Sequence, residues 1–235
     1  EGLNWLEKLG HKIEHPVPSL FTFSIPNSKI TSLMGIVVDN SILSIEGSKL
    51  KSEGTMLITH WGVSGPAVLK CSAWGARILS EMNYRFNISV NWTGLGNEDQ
   101  VREMINKTKQ DLYKKKIGNT KVFNAITNRL WDYLIARAEI NKEGIWAECN
   151  KKQVNKLVNT LFNDIYKVEG KTTFKEEFVT CGGVSLEDIN LKTMESKKCS
   201  GLYFAGEVLD IDGVTGGFNF QAAWTGGFLA GNYLS

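Results

Sequence analysis

Histidine, cysteine and proline are scarce in this 235-residue sequence, at three, four and four residues. Cys71, Cys149, Cys181 and Cys199 lie far apart, with no CxxC pair and no histidine at zinc-like spacing. Neither a disulfide framework nor a metal site is expected, and a reduced, cytoplasmic protein is the simplest account. An excess of one charge is missing too: 27 basic against 25 acidic side chains leave a net +2. That balance points to no nucleic-acid or acidic-membrane partner. The one long apolar stretch, 218–234, has Asn219 and Gln221 near its start. It falls short of the ~20 residues a membrane span needs, so a buried helix is expected. There is no repeat, no low-complexity tract and no signal peptide. The sequence opens on Glu1, without an initiator methionine, in what reads as the middle of a helix, which suggests a fragment.

What remains is an ordinary globular composition, 42% hydrophobic and 22% charged, long enough for one large domain or two small ones. Leu3, Leu6 and Leu9 stand at near-helical spacing before Gly10, and Pro16 and Pro18 then enforce an extended crossing. Short β-rich runs follow (LFTFSI, GIVVD, SILSIE, TMLITH), separated by Asn27, Gly35, Asn40, Gly47 and Gly54. They predict a small barrel or sandwich. A turn at 62–66 leads into a helix to about Leu79, with Ser64 as N-cap and Pro66 in the first turn. Residues 84–92 alternate as a half-buried strand, and 98–113, 120–138 and 151–166 read as three amphipathic helices of a small bundle. Strands are predicted at 174–180 and 202–205, around a glycine pair.

The implied fold class is α+β and multidomain, a β-barrel plus three-helix bundle inserted into an α/β domain. Residues 1–18 and 171–235 would be the host, 19–170 the insert, with the barrel at 19–96 and the bundle at 97–170. The basic cluster Lys107, Lys109, Lys114, Lys115 and Lys116, interrupted by Asp111, reads as a solvated helix face and linker.

Residues 201–217, GLYFAGEVLDIDGVTGG, combine a short apolar strand with Gly206 and the carboxylate of Glu207. A glycine there lets backbone approach a ligand closely, and an acid at the carboxyl end of a strand can accept hydrogen bonds from ligand hydroxyls. After Asp210, Asp212, Gly213, Gly216 and Gly217 comes the start of the last helix, whose first N–H groups are unpaired and favour negative charge. The three acids lack a histidine and ligand spacing, so no metal is expected. Two stripes of small residues, Ala222/Gly226/Ala230 and Ala223/Gly227/Gly231, run along that helix. Each glycine costs roughly 1 kcal/mol of helix propensity against alanine, which close packing on a sheet or a cofactor must offset. On the residues alone, a tightly packed strand–turn–helix without a ligand stands beside the ligand-site reading.

The run GLYFAGEVLDIDGVTGGFNFQAAWTGGFLAG resembles the C-terminal signature of a bacterial family of NAD(P)/FAD-dependent oxidoreductases, which includes aminoacetone oxidase and BaiN-type proteins. MLITHWGVSGP (56–66), TCGGVSLEDINLKTMESK (180–197) and the opening EGLNWLEKLGH are similar to further family segments. The resemblance implies a two-dinucleotide-binding-type FAD domain interrupted by a barrel and a helical bundle. It also implies FAD as cofactor, NAD(P)H as a possible donor and a small-molecule substrate. Gly206 and Glu207 would contact the ribityl chain. Gly216, Gly217, Phe218, Asn219 and Phe220 would approach the isoalloxazine ring, and Thr180, Gly182 and Gly183 would lie against cofactor or substrate. The family's GxGxxG unit for the ADP half is missing. The nearest match, Gly94-x-Gly96, runs into Asn97-Glu98-Asp99 and fails the pattern. Weak or absent FAD binding is therefore expected of this chain alone.

Other candidate residues have plainer structural roles beside the chemical ones. The surroundings of Ser64 are not a nucleophile elbow, so capping is the favoured reading. His60 either faces the substrate side of the flavin or only hydrogen-bonds its turn. Cys181 reads as a small hydrophobe, with a redox pairing to Cys199 as the competing account. Trp61, Trp92, Trp131 and Trp146 read as core. A non-catalytic binding module resting on the lysine cluster is the second functional hypothesis. A second copy of the chain, or the insert, is expected to cover the helix at 218–234.

Overall fold

Side chains that alternate between buried and exposed build the larger sheet, and capped amphipathic segments build the helices around it. The computed structural model describes residues 2–171 and 179–233. In chain order these form α1 (Gly2–Lys8), β1 (Ile13–Ser19), β2 (Phe23–Ser24), β3 (Val37–Ile45), β4 (Lys51–Ile58) and β5 (Gly62–Ser64). Then come α2 (Pro66–Trp74), α3 (Ala76–Glu81), β6 (Arg85–Asn91), α4 (Glu98–Asp111), α5 (Asn128–Arg137), α6 (Lys151–Phe162) and β7 (Asp164–Glu169). The chain ends with β8 (Val179–Val184), β9 (Ile189–Asn190), β10 (Glu195–Ser196) and α7 (Gly216–Tyr233). Among the described residues no helix is long and apolar enough to cross a membrane. The chain divides into two units, one of residues 2–21, Ser72–Asn83 and 179–233, the other of Thr22–Cys71 and 84–171.

The second unit holds an antiparallel sheet in the order β2-β5-β4-β3-β6-β7. A bridge between Phe23 and Lys171, with Ser24 N donating to Gly170 O at 3.1 Å, brings its two ends together into a nearly closed barrel. Inward residues such as Phe23, Val38, Leu43, Met56, Ile58, Val63, Ile88, Val90 and Val168 are fully buried. The bundle packs α4 and α5 on α6. Asn97, Thr127 and Asn150 cap the three helices, the last in a reciprocal capping box with Gln153. The α+β reading of a barrel plus a three-helix bundle holds.

Several elements differ from the sequence reading, each for a local reason. GIVVD and SILSIE are one strand, β3, bent by a bulge between Val38 and Ser41 where Asn40 takes φ +56°. The helix expected to run from 66 to Leu79 breaks at Gly75 into α2 and α3. Ser64 is not its cap: it ends β5, opposite Leu57. The helix expected over 120–138 begins only at Asn128. The link before it is held as turns by the Trp131 indole donating to Ile117 O at 3.0 Å and the Trp146 indole donating to Thr120 Oγ1 at 2.9 Å. The helix expected over 151–166 stops at Phe162, and 164–169 become the barrel strand β7.

The first unit is built on the antiparallel pair β1–β8, with a bulge between Glu14 and Val17 that accommodates Pro16. Its core gathers Val184, Ile189, Met194, Phe204, Leu209 and Ala230. No strand forms over 202–205; Tyr203 makes a single bridge to Glu195. Of the strand expected at 174–180, residues 174–178 lie outside the described residues, and Gly182 and Gly183 fall inside β8 instead of after a strand. The last helix is not buried: α7 packs through Gly226 and Ala230, while Phe218, Phe220, Trp224 and Phe228 are exposed.

Candidate functional site

Within the first unit, α1, β1, β8 and the turn after Phe204 enclose a cleft of about 920 Å³. Leu3, Trp5, Leu6 and Leu202 give it apolar walls, and His15, Thr180, Gly182 and Glu207 also line it. Three of the residues singled out from the sequence, Thr180, Gly182 and Glu207, therefore meet at one place. Among the described residues, the lining contains no lysine or arginine. Glu207 is exposed, and no hydrogen bond or ion pair engages it among the described residues. Its carboxylate is thus available to a ligand's donors. Gly206 places it there by adopting φ +78°, opening a short turn over Gly206–Val208.

Gly182 and Gly183 sit between two backbones. A Cβ on Gly182 would lie 2.7 Å from His15 O and 2.8 Å from Pro16 Cα; on Gly183 it would lie 2.6 Å from Val208 O. The protein's own main chain takes up the space that a side chain would need. Cys181, between Thr180 and this pair, packs with Val17 and Ala76. Burial, reinforced by Asp212, pushes its thiol up to about 11. Cys181 and Cys199 are both free. With so high a pKa, only about one Cys181 in a thousand is thiolate at pH 8. Iodoacetamide at that pH is expected to label the half-exposed Cys199 and spare Cys181, read by peptide mass. Fast labelling of Cys181 would revive the redox account.

The loop before α7 is tied down by side chains. Arg77 pairs with Asp210 at 3.1 Å, and Ser19 Oγ donates to Asp212 at 2.9 Å. Cys181, Asp210 and Asp212 bring their ligand atoms within 4.8 Å of one another, but Arg77 and Ser19 already engage the two carboxylates. Asn219 works through its side chain as well as its backbone. Its Oδ1 accepts from Gly213 N at 2.8 Å, and its Nδ2 donates to Gly213 O at 3.0 Å and Thr215 O at 2.8 Å. This clamp fixes the loop onto the start of α7, where Gly216, Gly217, Phe218 and Phe220 are exposed. None of these five is among the cleft-lining residues.

His60 belongs to the other unit. It is exposed in the β4–β5 turn, its ring edge-on to Trp61 at 4.4 Å. Trp92, Trp131 and Trp146 are core, as read; Trp61 is half-buried, its indole donating to Thr22 Oγ1 at 3.2 Å. The sequence reading missed α1, His15 and Arg77 as parts of the site. An exposed Trp5 on a short helix was the available signal for α1, while Arg77 meets Asp210 only through the tertiary fold. The TMESK stretch has a structural role. Ser196 Oγ accepts from Lys198 N and Cys199 N and lies 2.8 Å from His11 Nε2. His11 Nδ1 lies 2.9 Å from Leu6 O, which can only accept, so that nitrogen carries a proton.

A barrel with a capped helical bundle, interrupting a unit with an apolar cleft and a tied glycine-rich loop, defines the class. The family model of the HI0933-like protein barrel and H2TH domain matches residues 17–179, and the chain belongs to that family. The match bears out the family resemblance drawn from the motifs. The chain is 33% identical, over its whole length, to a ribosomal RNA dihydrouridine synthase of Haemophilus influenzae, covering 55% of that protein. It is 27% identical to a 3-dehydro-bile acid delta(4,6)-reductase of Clostridium scindens, over 95% of the chain and 54% of the relative. It is 29% identical to a ribosomal RNA dihydrouridine synthase of Escherichia coli, over 82% of the chain and 45% of the relative. The chain thus spans about half the length of the curated relatives it matches.

Proposed function

We propose that this chain is part of an FAD-dependent oxidoreductase that delivers hydride to an activated carbon–carbon double bond, with NADH or NADPH as the electron source. The observation that carries the flavin reading is the cleft in which Thr180, Gly182 and Glu207 meet. Its volume lies within the ~300–1,000 Å³ of ordinary ligand sites. Apolar walls, the two carboxylates of Glu7 and Glu207 and, among the described residues, no lysine or arginine suit the ring and hydroxyl-bearing parts of a flavin; they do not suit its diphosphate. This chain carries no GxGxxG, so its contacts make one part of a site, and alone it is expected to bind FAD weakly or not at all. The two relatives' names share a chemistry that supports the reductase reading: forming a dihydrouridine saturates a conjugated ring bond, and a delta(4,6)-reductase saturates conjugated ring bonds of another kind.

When bound, flavin supplies the redox chemistry. Glu207 would accept hydrogen bonds from its ribityl hydroxyls, and the start of α7, at Gly216 and Gly217, would stabilise negative charge on the ring. Leu3, Leu6 and Leu202 keep water from that part of the cofactor. The test uses the full-length protein: flavin absorbance is followed under anaerobic titration with NADH and NADPH, then on mixing with a uridine-containing RNA or a conjugated enone. Reduction followed by reoxidation with one acceptor is the expected course. A full-length protein that never takes up FAD sinks the reading. Glu207→Ala is expected to weaken FAD binding about 10–100-fold, the loss of a hydrogen bond to a charged group, with an unchanged melting temperature of the apoprotein.

A further inference from the structure

The net charge of +2 conceals a division. The barrel-and-bundle unit, residues 22–71 and 84–172, carries 20 Lys and Arg against 13 Asp and Glu, a net +7, and the remaining residues carry 7 against 12, a net −5. The positive charge is concentrated where α4 ends and α6 begins. Tyr113 O accepts from Ala147 N at 2.8 Å, Lys115 O accepts from Trp146 N at 3.2 Å, and Lys109 Nζ donates to Cys149 O. These bonds bring 107–116 alongside 144–152, so Lys107, Lys109, Lys114, Lys115, Lys116, Lys151 and Lys152 share one end of the bundle. The acids there are Asp111, Glu148 and Glu143, the last paired with Lys116 at 2.7 Å. At the apex Tyr113 is 51% exposed, with Lys114 Nζ 5.4 Å from its ring centre.

We propose that this end of the bundle is a docking surface for the phosphate backbone of a structured RNA, with Tyr113 as a platform for an unstacked base. An array of solvated lysines around an exposed aromatic fits a polyanion that carries flat rings. It has no counterpart in what a neutral enone would require. Lys107, Lys114, Lys115 and Lys151 are exposed, and among the described residues no carboxylate pairs with them. The surface rests on the proposed reductase function in its RNA-substrate form, and it replaces the expectation, drawn from the global charge, that no nucleic acid is bound.

The probe is a fluorescein-labelled ribosomal RNA hairpin, its anisotropy titrated with the protein at several salt concentrations. Lys114→Glu/Lys115→Glu/Lys151→Glu is expected to weaken binding at least about tenfold and flatten the salt dependence by about two to three units of log–log slope. Tyr113→Ala is expected to weaken binding with the salt slope intact. Lys49→Glu/Lys51→Glu, on the β3–β4 hairpin of the same unit, should change little, and thermal melts establish that each variant is folded. Equal weakening by the hairpin variant, or none by the triple variant, overturns the surface while leaving RNA as the substrate. A parent protein with no salt-dependent binding to the hairpin overturns the surface and the RNA-substrate form together, leaving the enone form of the reductase to the flavin reoxidation assay.

Discussion

Gly183→Ala is expected to destabilise the unit containing β8 by about 3–5 kcal/mol, enough to remove much of the stability of an ordinary domain. Gly183 has φ +133°, and a Cβ built on it lies 2.6 Å from Val208 O, 2.9 Å from Leu209 C and 3.0 Å from Leu209 O. Those are backbone atoms, and they are held in place: Val184 bridges Leu209 in parallel, and Asp210 N donates to Val184 O at 2.9 Å. No flexible side chain can swing aside, so the loop or the strand must move. The backbone conformation contributes about 1–3 kcal/mol of the cost and the overlap a similar amount. Chemical denaturation should show the lower midpoint; a melting temperature within about 2 °C of the parent would contradict the argument. The comparison with Glu207→Ala separates two meanings of a site residue. Glu207→Ala should lose flavin from a folded protein, whereas Gly183→Ala should lose flavin because the fold is lost.

That contrast shows what the sequence could reveal. The glycine pair of TCGGV was visible, and the family resemblance put it against cofactor or substrate; the fold brings its own backbone close to both glycines. The small-residue stripes of α7 were legible in part. A Cβ on Gly226 would meet Met194 and Ala205 at ordinary contact distance, and Ala230 is buried, whereas a Cβ on Gly227 or Gly231 would meet open space. The capped helices were readable because Asn97 and Asn150 act on their own next turn. β7 was not. Leu157, Leu161 and Ile165 continue a four-residue spacing past the true helix end, so a local window extends the helix. Its end is decided by Asp164, whose hydrogen bond to Trp92 spans 72 positions. The charge division was equally hidden, because it appears only when residues are grouped by unit.

Asp164→Ala is expected to cost the barrel unit about 3–5 kcal/mol, the range for removing one partner of a buried charged network. Asp164 is 2% exposed. It accepts from the Trp92 indole at 3.0 Å and from the Tyr166 hydroxyl, and pairs with Arg137 at 2.7 Å. Arg137 in turn lies over the Tyr166 ring at 4.9 Å and donates to Ile165 O at 3.3 Å, so one carboxylate joins α5 to β7 and to Trp92, the residue after β6. Alanine strands two buried donors. Asp164→Asn keeps the volume and one acceptor, and its cost should be smaller and dependent on pH. Burial holds the Asp164 carboxyl above its usual value, although Tyr166, Arg137 and Trp92 pull it down. The folded protein therefore binds that proton more tightly than the unfolded chain, whose carboxyl titrates near ~3.9. The resulting stability is fully present below that value and is lost as pH rises through the folded pKa. Asparagine cannot ionise and has no such loss, so the gap between parent and Asp164→Asn should narrow from pH 4 to pH 8 in urea melts. A gap that widens with pH would mean that the ion pair with Arg137 outweighs desolvation.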